Sequence, residues 1–304
     1  MRPQKYDVVV VGSGIGGLGA AALLSHWGYK TLVVEKLGII GGRWANYEYE
    51  GFSIPAGAMA ILYHGTEMEE IYNEVRAEAE VIRIPRVYYR IGGKDWEMPV
   101  KGAIAAMFDI IEKLDKERAE KENTPGTFDS EKVTNAFRQG IQERDKIGWL
   151  TLKDWLHQYT DNEMVHGMFD TISNTICGAH SYEIQAAAFF SFLVKSRGFR
   201  DVSIAPKGNM ANAENLAKVV RQNGDVWINC PAKRIVIERG KAKGIVVEKN
   251  GSEVEIASQV VISNAGPRKT VELAGAENFT EEYLSRIRVR LKPHPVTMCF
   301  IASD

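Results

Sequence analysis

The sequence predicts an α/β fold in which a mainly parallel sheet is interrupted by a largely helical segment. Three observations predict it. A β-branched run at 8–11 ends in a glycine-rich turn and passes into an Ala- and Leu-rich stretch, so strand, turn and helix follow directly. The middle of the chain carries apolar residues mostly at helical spacing. Residues 225–263 then return to short strands divided by Arg239-Gly240 and Asn250-Gly251, both tight-turn pairs.

Tyr6-Asp7-Val8-Val9-Val10-Val11 reads as a strand buried on both faces, as in a parallel sheet. Gly12-Ser13-Gly14-Ile15-Gly16-Gly17 follows. Gly12 permits the tight turn, Gly14 lets backbone N–H groups approach a pyrophosphate, and Gly17 lets helix pack on strand. The helix N-terminus adds free N–H groups and a partial positive charge. Gly28 ends that helix, and residues 31–34 form the second strand. Glu35 closes it, at the spacing of roughly 20 residues where a carboxylate accepts hydrogen bonds from ribose hydroxyls and repels a 2′-phosphate. A glycine-rich loop alone is weak evidence. Set between strand and helix, with an acid at this distance, it is a strong dinucleotide-binding signal.

Gly41-Gly42-Arg43-Trp44 comes soon after the acid. A strand-ending Glu followed by Gly-Gly-Arg resembles the FAD-binding amine-oxidase and phytoene-desaturase superfamily. The resemblance implies a Rossmann-type FAD-binding domain with a three-stranded meander. It implies that Gly41 and Gly42 allow close backbone contact and that Arg43 holds the diphosphate and ribose, as its permanent charge and several donors suit it to do. It also assigns Lys36, Trp44, Gly57 and Ala58 to the cofactor site. Pro55 stands where the family has an acid two residues before its glycine.

Thr66 and Glu69 have capping-box spacing ahead of a helix through Val75. Residues 87–91 and 96–98 around Gly92-Gly93 read as a hairpin, and 103–121, 150–159 and 162–176 as helices. The apolar run 186–194 reads first as a buried core helix. A sharper reading makes it an apolar wall for a lipid-like substrate or a surface that touches a membrane. In the resembled family this block is the substrate-side domain. No Cys-x-x-Cys or His-x-x-x-His pair marks a metal site, and no Gly-x-Ser-x-Gly marks a hydrolase. His64, His157, His166 and His180 are scattered and read as structural, and Cys177 as a buried thiol. Tyr63 and His64 follow Gly57 closely and are the substrate-side candidates.

Gly208 leads a helix over 211–222, with strands at 225–229, 232–235, 245–248 and 253–257, and a last strand reaching Ser263-Asn264-Ala265-Gly266-Pro267. The resemblance implies that the backbone at Ala232, where the family favours valine, contacts adenine. It places Asn264, Ala265 and Gly266 beside the diphosphate.

The expected organisation is therefore 1–85 with 201–272 for the cofactor domain and 86–200 with 273–304 for the substrate side. Of the 304 residues, 38 are Lys or Arg and 39 are Asp or Glu, a net charge of −1 that gives no support to nucleic-acid binding. Three cysteines exclude a disulfide framework and suit a reducing, cytoplasmic setting, and no apolar run approaches a membrane span. The expected chemistry is hydride transfer at the flavin with an apolar or prenyl-like substrate. A flavin amine oxidase is the enzyme alternative, and a binder of prenylated partners like the GDP-dissociation inhibitors the non-enzymatic one. An NAD-dependent dehydrogenase lacks a persuasive acid–base residue. Family members run longer than 304 residues, and 298–304 is apolar and strand-like, so the chain is expected to be short or split, with a homo-oligomer or partner chain completing the fold.

Overall fold

A computed structural model of the chain describes residues 4–99, 101–195 and 202–291. Two compact units result: residues 1–82 with 203–304, and residues 83–202.

The first unit opens with β1 (Gln4–Val11), α1 (Ile15–His26) and β2 (Thr31–Val34). β3 (Asn46–Tyr49), β4 (Phe52–Pro55), β5 (Ile61–Leu62) and α2 (Glu67–Glu74) follow, and the chain leaves through β6 (Ile82–Arg83). The second unit is the hairpin of β7 (Val87–Ile91) and β8 (Lys94–Met98), then α3 (Ala103–Glu122), α4 (Ser130–Gln142), α5 (Leu152–His157), α6 (Glu163–Cys177) and α7 (Ala186–Lys195). The chain returns through β9 (Val202–Ile204) to α8 (Asn209–Val220), β10 (Gly224–Trp227), β11 (Ala232–Glu238), β12 (Lys241–Lys249), β13 (Ser252–Ser263), α9 (Pro267–Ala274) and α10 (Glu281–Arg290).

The main sheet of the first unit runs β10-β2-β1-β13-β12-β11. β10, β2, β1 and β13 are parallel, whereas β13, β12 and β11 form an antiparallel meander. β13 belongs to both arrangements. Its first half pairs with β12, and residues 256–263 pair with β1. The sequence reading split this strand at Ser258. No glycine or proline interrupts residues 252–263, so nothing forces a break. Both faces of the sheet are covered. Val8, Val10 and Val33 pack with α1 and α8, and Val9, Leu32 and Ile256 pack with Leu273, Ala274 and Phe279. Expectation grouped residues 273–304 with the helical block. Leu273, Ala274 and Phe279 instead complete the core under this sheet, because they supply the apolar cover that its second face needs. Residues 292–304, including the apolar 298–304 run, lie outside the described residues.

The second unit is held by an aromatic core. Phe137 stacks on Phe169 at 4.7 Å, with Phe190 at 5.1 Å and Trp155 at 5.4 Å edge-on. Rings of this size each bury enough apolar surface to contribute ~1.5–3 kcal/mol. Ala186, Phe189, Phe190 and Leu193 of α7 lie in this core, so the apolar 186–194 run is a packing face, as its blander reading held. Among the described residues no helix is long and apolar enough to cross a membrane.

Local sequence explains the helix starts. Asp129, Thr151 and Asn162 each accept backbone N–H bonds at the N-termini of α4, α5 and α6. The capping box at α2 does not form. The Thr66 hydroxyl donates to the carbonyls of Tyr63 and Leu62, and Glu69 accepts from the Gly65 N–H at 2.6 Å.

Candidate dinucleotide site

The glycine-rich loop sits where β1 ends, with the parallel neighbours β2 and β13 on either side. Gly12 has φ +96, which favours glycine, and its N–H donates to the Val34 carbonyl at 2.8 Å. Leu18 N–H closes the first helical turn on the Gly14 carbonyl at 2.9 Å. The N–H groups ahead of it have no partner inside the helix. α1 has no side-chain cap and no acidic residue in its first turn, so nothing of its own offsets the positive end of the helix.

The glycines are required by close neighbours. A Cβ on Gly17 would lie 2.3 Å from the Gly12 carbonyl oxygen. One on Gly14 would lie 2.6 Å from Asn264 Nδ2. Asn264 is anchored by its own N–H, which donates to the Val11 carbonyl at 2.8 Å. The structure therefore brings Asn264 against Gly14 and Gly17, and Ala265 and Gly266 follow as the lead into α9, with Gly266 at φ +84.

Glu35 is only 6% exposed, yet its carboxylate is well partnered. Oε2 accepts from the Ser13 N–H at 2.9 Å and the Ser13 hydroxyl at 2.7 Å, and Oε1 accepts from the Leu37 N–H at 3.0 Å. A carboxylate offers about four lone-pair positions. One on Oε1 is left for a ribose hydroxyl. Ser13 was not singled out in the sequence; its signal is a hydroxyl between the first two loop glycines, bonded to the carboxylate that ends the adjacent strand.

Gly41 N–H donates to the Ser13 carbonyl at 2.9 Å, and a Cβ on Gly42 would come within 3.3 Å of Gly14 Cα. The second glycine pair thus lies directly on the first loop. Arg43 follows, exposed and with no side-chain partner among the described residues. Its carbonyl accepts from Ala58 N–H at 3.0 Å, and a Cβ on Gly57 would lie 2.7 Å from that oxygen. Gly57 and Ala58 therefore fix the backbone that carries Arg43. Lys36 is exposed beside Glu35, while Ile15 and Trp44 pack partly against the core and Gly16 is open. Ala232 begins β11, just after Cys230, whose N–H donates to the Glu35 carbonyl at 2.8 Å.

Two buried asparagines extend the support. Asn209 Nδ2 donates to the Ala58 carbonyl at 2.6 Å, and Asn46 Oδ1 accepts from Met210 N–H at 3.1 Å. Sequence reading missed both, since an isolated Asn carries no pattern.

The donor set suits a dinucleotide diphosphate. A helix N-terminus without acid, closely packed glycines, a guanidinium without a side-chain partner among the described residues on the chain beside them, and a carboxylate bonded to Ser13 of the loop make up the site. These are the groups that an FAD, the cofactor the sequence implies, would need.

Tyr63 and His64 are engaged with partners of their own. Tyr63 is buried in the core against Tyr72 of α2, at 5.9 Å edge-on, and burial, with Glu69 adding, pushes its hydroxyl pKa up. His64 Nδ1 pairs with Glu69 Oε1 at 3.3 Å. Their partners are structural ones. Burial also pushes up the thiols of Cys177 and Cys230, with Lys249 opposing at Cys230. Neither thiol is poised as a nucleophile.

A family model for an NAD(P)-binding Rossmann-like domain matches residues 10–75. A zeta-carotene-forming phytoene desaturase from Myxococcus xanthus is 40% identical over 296 residues, covering 86% of this chain and 54% of that protein. An inactive all-trans-retinol 13,14-reductase from Danio rerio is 24% identical over 325 residues, covering 94% and 52%. The crystal structure of an oxidoreductase from Methanosarcina mazei superposes with a TM-score of 0.76 at 22% identity, covering 94% of this chain and 65% of that one. The chain spans about half the length of the curated relatives it matches.

Proposed function

We propose, starting from a chain that carries a Rossmann domain of the FAD-dependent oxidoreductase type, that it binds FAD and moves a hydride between that flavin and an apolar, polyene-like substrate. The observation that carries the reading is the convergence of Gly12, Gly14, Gly17, Gly42 and Asn264 around one helix N-terminus, with Arg43 next in the chain after Gly42 and Glu35 bonded to Ser13 of the loop.

In this reading the α1 N-terminus and Arg43 hold the diphosphate, and Glu35 accepts from the adenosine ribose. Ser13 holds the carboxylate in place, so binding needs no rearrangement of it. The Ala232 backbone meets adenine, which leaves that contact independent of side chain. Bound FAD supplies the hydride acceptor or donor, and the protein supplies orientation and shielding from water. Desaturation sends a hydride to the flavin and a proton from the adjacent carbon to solvent, and saturation runs both transfers in reverse. The polyene substrate class is supported by the name of one relative, a zeta-carotene-forming phytoene desaturase.

The test is reconstitution. The purified chain is incubated with FAD and desalted, and its flavin content is measured. It is then offered a conjugated polyene after anaerobic reduction, or a partly saturated polyene in the oxidised state. The reading expects retained flavin whose spectrum changes with polyenes. Reaction with simple amines alone would move the assignment to amine oxidation, and failure to retain flavin would overturn it in favour of a binding role.

A further inference from the structure

The turn between α5 and α6 brings together three side chains that the proposed flavin chemistry does not use. His157 is the last residue of α5, Asp161 lies in the connecting loop just before the Asn162 cap, and His166 stands near the start of α6. Their potential ligand atoms all lie within 4.8 Å of one another. The two imidazoles stack with ring centres 4.1 Å apart and planes 29° from parallel.

The hydrogen bonds fix what each atom offers. His166 Nε2 lies 2.9 Å from the Thr160 carbonyl. A carbonyl only accepts, so Nε2 carries the hydrogen and Nδ1 carries the lone pair. That Nδ1 is buried and has no hydrogen-bond partner among the described residues. A buried polar atom left unpaired is rare and unfavourable, and a cation is one remedy for it. His157 Nδ1 meets Asp161 Oδ1 at 2.8 Å, which holds a carboxylate beside the ring pair. An imidazole whose other nitrogen donates to a carbonyl is the usual arrangement behind a metal-bound histidine.

We propose that His157, Asp161 and His166 bind one divalent first-row transition cation of the zinc class. His166 Nδ1 and the His157 imidazole supply two nitrogen ligands, the Asp161 carboxylate supplies an oxygen, and water fills the remaining position. Two imidazoles select zinc-like ions over calcium or magnesium, which prefer all-oxygen shells. The bound cation ties the end of α5 to the beginning of α6. Spacing hid the site: the ligands span a helix end, a loop and the next helix, so no short motif records them. The proposal is independent of flavin binding.

The full chain, stripped with a chelator and desalted, is titrated with zinc chloride against a chromophoric chelator. The expected result is one zinc per chain, with affinity reduced ~10-fold or more in His157→Gln and in His166→Gln. His180→Gln, which alters a histidine paired with Asp170 instead, keeps wild-type affinity. Circular dichroism establishes that each variant is folded, and exposed His157 carries the test by itself if the His166 variant is not. Paramagnetic cobalt is expected to broaden the imidazole resonances of His157 and His166 first. Zinc bound equally by both variants, no stoichiometric zinc, or loss of zinc in His180→Gln would each overturn the proposal.

Discussion

Replacing Gly17 with alanine tests the glycine loop at its tightest point. The new Cβ would lie 2.3 Å from the Gly12 carbonyl oxygen and 3.1 Å from both Cβ and Nδ2 of Asn264. The first contact is roughly 1 Å short of ordinary van der Waals distance, and overpacking of this kind costs ~1–3 kcal/mol. The upper end applies here because the obstacle is backbone. Gly12 is tied through its own N–H to the Val34 carbonyl at 2.8 Å, so relief requires moving β1 or α1. Either movement displaces the helix N-terminus from the proposed diphosphate position. Gly16→Ala is the matched control, since among the described residues its Cβ would meet only Asn264 Oδ1, at 3.4 Å. Thermal unfolding and FAD titration of both variants give the answer. Gly17→Ala is expected to lower the midpoint by about 2–4 °C per kcal/mol lost, and to weaken FAD, while Gly16→Ala changes both little. Equal behaviour of the two variants would refute the packing argument.

Arg43→Ala should weaken FAD by ~10- to 100-fold, the worth of about 1.5–3 kcal/mol for a charged hydrogen bond, with little change in melting temperature because the side chain has no partner among the described residues. In the helical unit, Gly140→Ala places a Cβ 2.8 Å from both Phe190 and Trp155 and should destabilise by ~1–3 kcal/mol in urea unfolding. Gly167→Ala, inside α6 with none of the described residues within 4 Å of the new Cβ, should instead stabilise by roughly 0.5–1 kcal/mol. Burial raises the Asp170 pKa, but hydrogen bonds from His180 and Ser181 outweigh it and hold the carboxyl below its ordinary 3.8. A depressed folded pKa contributes stability above the ordinary value and loses it as pH falls through the folded one. The stability gap between wild type and Asp170→Asn should thus be full at neutral pH and close below pH 3.8; a gap that ignores pH would contradict this.

The dinucleotide loop was legible because its determinants are local. Gly12, Gly14, Gly17 and Glu35 are set by one strand–turn–helix–strand unit, and the structure brings them together in the order the sequence implies. The reason for two of the glycines was not legible. Asn264 crowds Gly14 and Gly17 from more than two hundred residues away, through the parallel pairing of β13 with β1. Ser13 and the two buried asparagines escaped for the same reason: each matters only through a distant partner. The β3–β4 hairpin was missed because Tyr47, Tyr49 and Phe52 are exposed, so the alternation that marks a half-buried strand is absent. At α2 the capping-box pattern was present, but the Tyr63 carbonyl competes for the Thr66 hydroxyl at 2.6 Å. Tyr63 lay close to Gly57 in sequence, yet burial against Tyr72 took it into the core.

The central claim is that this site holds the adenosine diphosphate half of FAD. Titration of the chain with FAD, read by quenching of flavin fluorescence and repeated with FMN and NADP+ as competitors, tests it most directly. The account predicts saturable FAD binding that FMN, lacking the adenosine half, does not displace, that NADP+ displaces poorly because Glu35 repels its 2′-phosphate, and that Arg43→Ala weakens. FMN bound as tightly as FAD, or FAD binding indifferent to Arg43 and Gly17, would contradict it.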